Sequence, residues 1–506
     1  MNAITGASVK RAFFLVHRWT GIAMCVLMAL WFVSGVVMLF VGYPKFTPWE
    51  RMAALPALSV DGCCIAPAQA LARSAAPASV KGLTLTTVGG RASYVLHEGD
   101  GALRAIDGAT GVRLDADGAA ALAAARAYRP GDKAAYQELV HEDRWTHARG
   151  LQAHRPLHVV ELDDADATRV YVSSATGQVV MDAPRAERAW NLVGAWLHWL
   201  YMVRDRPVDP VWSWTVIALS AAGVVSATTG VANGLWRWRF AGRYKSGAKT
   251  PYRDAAMRWH HMLGLLFGAV VFTWIVSGLM SMNPLGVFDT RGARPDVAAY
   301  QGGSPATARL PLDAAAIVAL LDGQRFRAAE LEWRVLGGVP YVLARDSGNA
   351  TRLVVAQGDA YAVLERWPQD RLERAAASLL AAPLVSATVL THYDSHFYGR
   401  GSASMYGANE RRLPALRLVY GDRTQTWVHV DMATGRVELS VDAWQRAGRW
   451  LFNFLHSWDV PPLLAGGWLR DAILIALSAG GLLLCATAAV IGWRRMCKPR
   501  KPRTLR

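Results

Sequence analysis

Residues 17–35, HRWTGIAMCVLMALWFVSG, and residues 260–278, HHMLGLLFGAVVFTWIVSG, decide the fold. Each is an apolar run of transmembrane composition that opens on a histidine. His17, Gly21, Trp31 and Val33-Ser34-Gly35 recur as His260, Gly264, Trp274 and Val276-Ser277-Gly278, every position displaced by 243. A repeat at fixed offset marks a duplicated structural unit. A second displacement, 258, relates His198 and Ile217-Ala218-Leu219-Ser220 to His456 and Ile475-Ala476-Leu477-Ser478. Pro156 and Pro414, and Thr176-Gly177 and Thr434-Gly435, keep the same offset. The chain is therefore span, intervening domain, span, written twice, with the second domain 15 residues longer.

Working outward, four stretches lack Asp, Glu, Lys and Arg: Trp19 to Pro44, Pro210 to Trp236, Trp259 to Phe288 and Ala472 to Trp493. Each meets the roughly 20 residues needed to cross a bilayer core. The formal charge of +16 is carried entirely by the segments flanking these spans, seventeen basic residues against Asp254 alone. By the positive-inside rule those segments are cytoplasmic, both termini lie inside, and the long connections lie outside. The basic balance thus needs no nucleic-acid partner. Span one is longer than a secretory h-region and has no small-residue cleavage pattern after it, so it is expected to be retained.

A fifth uncharged run, Ala375 to Tyr393, is rich in Ala and Ser and has Pro383 at its centre. A fifth crossing would also put the basic tail outside. A buried helix and strand are expected there. The five cysteines show no metal-site spacing, and the adjacent pair Cys63 and Cys64 is expected to be unpaired, because bridge geometry is demanding.

The resulting organisation is transmembrane helix 12–43, α+β domain 44–188, interfacial helix and second transmembrane helix 189–236, and cytoplasmic loop 237–257. The second copy follows as transmembrane helix 258–288, α+β domain 289–448, interfacial segment and fourth transmembrane helix 449–493, and basic tail 494–506. Alternating strands such as Arg169-Val170-Tyr171-Val172 and a thrice-repeated turn, Ala109-Thr110-Gly111, Ala175-Thr176-Gly177 and Ala433-Thr434-Gly435, give the domains their α+β character. Helical stretches at Pro67 to Ala76 and Pro311 to Leu321 precede these strands, so each domain is expected to hold two helix-plus-hairpin modules.

His17 and His260 lie near the cytoplasmic starts of their spans. His198 and His456 follow aromatic segments on the outer side. Pseudo-twofold packing would set His17 opposite His260 and His198 opposite His456. Opposed neutral imidazoles are what bis-histidine coordination of haem iron requires. A lone interfacial histidine is usually a hydrogen-bonded anchor; four in two duplicated pairs change that balance. Gly21 and Gly264 suit either the approach of a flat macrocycle or ordinary helix packing. Two such sites would lie on the order of 20 Å apart across a core about 30 Å thick.

The chain resembles the PepSY-associated transmembrane family, which includes FoxB-like inner-membrane siderophore reductases and PiuB-like iron-uptake proteins. The resemblance rests on His17-Arg18-Trp19-x-Gly21, Trp196-Leu197-His198-Trp199-Leu200, Trp259-His260-His261-x-x-Gly264 and Thr391-His392-Tyr393-Asp394-Ser395-His396-Phe397-Tyr398. Asp431-x-x-Thr434-Gly435 and Arg449-Trp450-Leu451-Phe452-x-x-Leu455-His456 extend it over nearly the whole chain. It implies four spans in a bacterial inner membrane, periplasmic PepSY modules, b-type haem, in this chain two, and reduction of ferric siderophores in the periplasm. His17, His198, His260 and His456 become candidate axial ligands to the haem irons, with His261 an alternative to His260.

The cytoplasmic loop carries no nucleotide fingerprint. Electrons are expected from a membrane quinol or a separate reductase. On the outer face, His141, Asp143, Arg149 and Gly150 match His392, Asp394, Arg400 and Gly401 at a displacement of 251, with Trp145 against His396 and His147 against Tyr398. These residues are candidates for binding the chelate or relaying protons; a hydrogen-bonded structural link is the competing reading. Two other function classes stand beside reduction: a non-catalytic scaffold or sensor that binds a periplasmic partner, and an electron-transfer subunit serving another acceptor.

Overall fold

The protein is described by a computed structural model covering residues 6–60, 62–205, 208–306, 308, 313–358, 360–405, 407 and 409–497. The expected helix start at Pro311 and the basic tail from Lys498 onward lie outside these described residues. The chain divides into a helical unit and a sheet-bearing unit.

The helical unit, residues 1–42, 190–289 and 445–506, is built on four long helices: α1 (Gly6–Phe40), α2 (Pro210–Arg237), α3 (Ala255–Ser281) and α4 (Trp468–Met496). All four are long and apolar enough to cross a membrane. Their starts are encoded locally. The Asp209 carboxylate accepts from Trp212 N–H and Pro210 occupies the first turn of α2, while Asp254 accepts from Met257 N–H at α3. α1 packs on α2 and α4, and α3 packs on the same two, so α1 and α3 are diagonal partners in the bundle.

No hydrophobic force separates helix from lipid, so the bundle depends on close packing. Met24, Met28, Phe32, Val271 and Cys485 form its buried centre. Gly480 and Gly481 on α4 receive the rings of Phe267 and Phe32: a Cβ there would lie 2.3 Å and 2.4 Å from those rings.

The sheet-bearing unit, residues 43–189 and 290–444, holds three antiparallel sheets. Strands β4 (Ala134–Val140), β5 (Leu157–Leu162), β6 (Arg169–Ser173) and β7 (Val179–Ala183) form one meander. Strands β12 (Leu384–Leu390), β13 (Ala415–Tyr420), β14 (Trp427–Asp431) and β15 (Val437–Val441) form its counterpart.

The third sheet joins the copies. β1 (Gly82–Val88), β2 (Arg91–His97) and β3 (Leu103–Asp107) come from the first. β8 (Ala328–Leu336), β9 (Val339–Asp346), β10 (Thr351–Gln357) and β11 (Ala360–Leu364) come from the second. β1 pairs with β8 in the register Leu83 to Trp333 and Leu85 to Leu331, giving the order β11-β10-β9-β8-β1-β2-β3. One apolar core under this sheet draws Leu83, Tyr94 and Ile106 from the first copy and Ile317, Leu331 and Trp333 from the second. Pairing removes two sheet edges that would otherwise invite aggregation. Arg51 and Glu330 reinforce the join with two hydrogen bonds of 2.7 Å.

The repeated Ala-Thr-Gly turn follows a strand each time, and Gly111, Gly177 and Gly435 adopt φ of +70°, +70° and +72°. The run Ala375 to Tyr393 contains the end of a helix, Gln369–Ala376, and β12. Cys63 and Cys64 form a disulfide, correcting the expectation of unpaired thiols; their shared peptide bond is cis and brings the two Cα atoms to 3.2 Å.

His429 on β14 is fully buried, accepts a 2.9 Å hydrogen bond from Arg417 Nε, and stacks on Phe397. Burial, helped by the Arg417 charge, pushes its pKa down to about 3. A folded pKa below the unfolded value makes the unfolded chain the better proton acceptor. The contribution is therefore whole above pH 6.5 and is lost as pH falls toward 3, at up to about 1.4 kcal/mol per pH unit. Thermal unfolding of the purified protein, followed by near-ultraviolet circular dichroism, should show a midpoint that falls between pH 7 and pH 5. The fall should be smaller in H429Q; equal falls would remove His429 as the cause.

Candidate functional site

Two histidine pairs lie inside the helical unit. His17 on α1 and His260 on α3 face each other across the bundle diagonal, ring centres 6.1 Å apart and planes inclined by 31°. His198 and His456, each in the segment preceding α2 or α4, have ring centres 6.2 Å apart and planes inclined by 74°.

Both copies deliver the second pair by the same device. π-helical turns at Leu192–Trp196 and Trp450–Phe454, 258 residues apart, precede the histidines. Leu200 and Trp458, two residues after them, adopt left-handed φ of +54° and +53°. Bulky side chains seldom tolerate that conformation, and its recurrence at equivalent positions marks a backbone held for a purpose. The carbonyl after each histidine is then tied to the following helix: Trp212 Nε1 donates to Trp199 O at 2.6 Å, and Arg470 Nε donates to Ser457 O at 3.0 Å.

The hydrogen bonds fix the tautomers. His17 Nδ1 meets the carbonyl oxygen of Ser226 at 3.0 Å, and His260 Nδ1 meets that of Leu484 at 3.3 Å and Thr487 Oγ1 at 3.1 Å. Ser226 and Leu484 are again 258 apart. A carbonyl only accepts, so Nδ1 carries the proton in both rings. His198 Nδ1 lies 3.0 Å from Ser34 Oγ and His456 Nδ1 3.1 Å from Ser277 Oγ. Each serine already donates its proton, Ser34 to Leu30 O and Ser277 to Trp274 O, so each accepts from the imidazole. All four histidines are thereby left with an unprotonated Nε2, which makes no hydrogen bond among the described residues. Orientation of a metal-binding imidazole through its other nitrogen is the usual supporting arrangement.

Glycines keep space beside the rings. A Cβ on Gly35 or Gly278 would lie 3.8 Å or 3.7 Å from Cε1 of His198 or His456, and one on Gly230 would lie 2.7 Å from Cε1 of His17. Gly230→Val must therefore displace His17. Any metal or cofactor held by the first pair should drop at least tenfold in occupancy while the second pair is unaffected, as measured by metal or pigment per chain; equal loss from both would show general unfolding instead. Gly21 and Gly264 face Ser226 and Leu484 at 3.8 Å, in ordinary packing distance of the neighbouring helix.

His261 is buried with both ring nitrogens engaged, Nδ1 with Thr250 Oγ1 at 2.7 Å and Nε2 with Gly234 O at 2.9 Å. The ring opposite His17 is His260.

The second constellation resolves into two equivalent turns in the sheet-bearing unit. Asp143 accepts from Trp145 N–H, Thr146 N–H and the Tyr171 hydroxyl. Asp394 accepts from His396 N–H and Phe397 N–H and pairs with Arg417 at 2.5 Å. Burial would raise the Asp394 pKa, but these hydrogen bonds and the Arg417 charge hold it below the ordinary carboxylate value. Both aspartates thus carry turn architecture. His147 pairs with Glu142, His396 packs edge-on against Trp427, and His141 accepts through its backbone carbonyl from Arg155. His392 and Arg149 are exposed, while Tyr398 and Arg400 are half-buried.

Among the described residues no group of three or more His, Cys, Asp or Glu side chains could hold a bare metal ion. Two imidazoles at one level suit a metal whose other ligands come with it. Metal–imidazole bonds of about 2.0–2.1 Å place the centres of two imidazoles on opposite sides of one ion about 6.3 Å apart. Both pairs match that spacing.

Fold and site together define an integral membrane protein built on a duplicated, histidine-bearing four-helix bundle. The chain belongs to the family described as the PepSY-associated TM region, whose family model matches residues 14–496. No curated protein matches it.

Proposed function

We propose that this protein is a haem-containing inner-membrane reductase that passes electrons outward to ferric iron held by a siderophore in the periplasm. The observation that carries the reading is the pair of 6.1 Å and 6.2 Å histidine separations, each with Nδ1 anchored and Nε2 bearing a lone pair. Bound haem b supplies a one-electron iron couple at each level. The protein's own part is to hold the imidazoles neutral and oriented: Ser226, Leu484 and Thr487 do so for His17 and His260, Ser34 and Ser277 for His198 and His456.

The two levels are about 25 Å apart along α1, taking 17 residues from His17 to Ser34 at 1.5 Å each. That length matches the hydrocarbon core, so one level belongs near each face. The basic flanks of the helices support cytoplasmic termini, with the His17 level inside. The electron donor is then a membrane quinol or a separate reductase. One electron converts chelated Fe(III) to Fe(II), which oxygen-rich chelators hold less tightly.

Stopped-flow mixing of the reduced protein with ferric siderophores tests the acceptor. Reoxidation by ferric siderophores should be at least tenfold faster than by small oxidants of similar potential. Equal rates for all oxidants, with no siderophore binding, would leave an electron-transfer protein for another acceptor.

A further inference from the structure

At the first histidine level two arginines share one ring without an acid beside them. The guanidiniums of Arg18 and Arg237 each lie 4.5 Å from the centre of one ring, Phe14, which sits one helical turn before His17. Arg237 also reaches the Tyr252 ring at 5.8 Å, and Arg495 lies within electrostatic range of Arg18. Arg237 and Arg495 are equivalent positions, 258 apart, at the ends of α2 and α4. Arg18 has no cationic twin: its equivalent in the second copy is His261, whose ring nitrogens are both engaged. No carboxylate among the described residues pairs with Arg18, Arg237 or Arg495. The nearby acid Asp254 pairs with Arg494 instead.

Two guanidiniums on one ring, with no carboxylate beside them, offer an anion a site. Guanidinium forks match carboxylates in geometry as well as charge. Phe14 is about 5 Å from His17 along α1, within reach of an acidic arm on a flat group held by His17.

We propose that Arg18 and Arg237 clamp a carboxylate carried by the macrocycle bound between His17 and His260. The inference rests on the haem reading above and adds to it the cofactor's orientation, acid arms toward the cytoplasmic end of α1.

The test uses the full-length H198A/H456A protein, leaving only the first pair, stripped and reconstituted with haem or with haem dimethyl ester. Haem should bind at least tenfold more tightly than its ester, and R18Q/R237Q in the same background should bind the two alike. The reduction midpoint with haem should also fall in R18Q/R237Q by about 59 mV, a tenfold change in the one-electron equilibrium. Equal affinity for haem and ester before the arginines are changed would overturn the clamp even if the double variant proved unstable. A preference present in pure phosphatidylcholine nanodiscs but lost in those containing phosphatidylglycerol would assign the arginines to lipid phosphate and also overturn it. Binding of neither compound would overturn the haem reading itself.

Discussion

Replacing His198 and His456 together by alanine is expected to halve the haem per chain, from two to one, and to cut ferric-siderophore reduction at least a hundredfold. Both rings are held by buried serines, through Nδ1 contacts of 3.0 Å and 3.1 Å, and both sit beside glycines. Removing the imidazoles takes away both nitrogens proposed to hold the haem at that level, leaving Ser34 and Ser277, which already bond within their own helices. The His17 level is untouched, because its supports lie on α2 and α4 some 25 Å away along the helix. The remaining haem should still be reducible from the cytoplasmic side yet unable to serve the outer acceptor. H17A/H260A should give the mirror result, one haem that a cytoplasmic-side donor cannot reach. Haem quantified by the pyridine haemochrome method, beside initial rates of ferrous-iron release, checks both. Full haem content in either double variant would remove that pair as ligands.

The second large effect concerns the bundle itself. G480V/G481V should destabilise it by several kcal/mol and lose the proposed haem from both levels at once, since overpacking costs about 1–3 kcal/mol per site. A Cβ at Gly480 would stand 2.3 Å from the Phe267 ring and one at Gly481 2.4 Å from Phe32. Phe32 is packed into the buried centre of the bundle and has little room to retreat. α4 would be pushed from α1 and α3 together, separating the helices that carry His17 and His260. Thermal scanning by tryptophan fluorescence in detergent should show a midpoint lowered by several degrees. An unchanged midpoint would mean that both rings can swing aside.

Much of this was legible in the residues. The 243 and 258 offsets named the four histidines and the span-domain-span order, because helix positions that hold the same partner are copied together. Val33-Ser34-Gly35 and Val276-Ser277-Gly278 were visible as repeats, but their task was not: the serine anchors a histidine that lies more than 160 residues away in sequence. The anchors of His17 and His260 left still less trace. Each includes a backbone carbonyl, which any residue at Ser226 or Leu484 supplies, and only His260 adds a side chain, Thr487.

His261 could not be set aside until its bonds to Thr250 and Gly234 were known, since a helix step of one residue presents either ring. The shared sheet was equally hidden. Strand periodicity tells which face is buried, not which distant edge a strand will join, so the pairing of β1 with β8 gave no sequence signal. The 251-offset histidine and aspartate motif was conspicuous for another reason: Asp143 and Asp394 form turns that the duplication copied with the rest.

The most direct measurement is a reduced-minus-oxidised spectrum of the purified protein with haem counted per chain. A b-type band and two haems are expected, one lost in H17A/H260A and the other in H198A/H456A. A colourless preparation from haem-replete cells would contradict the haem reading.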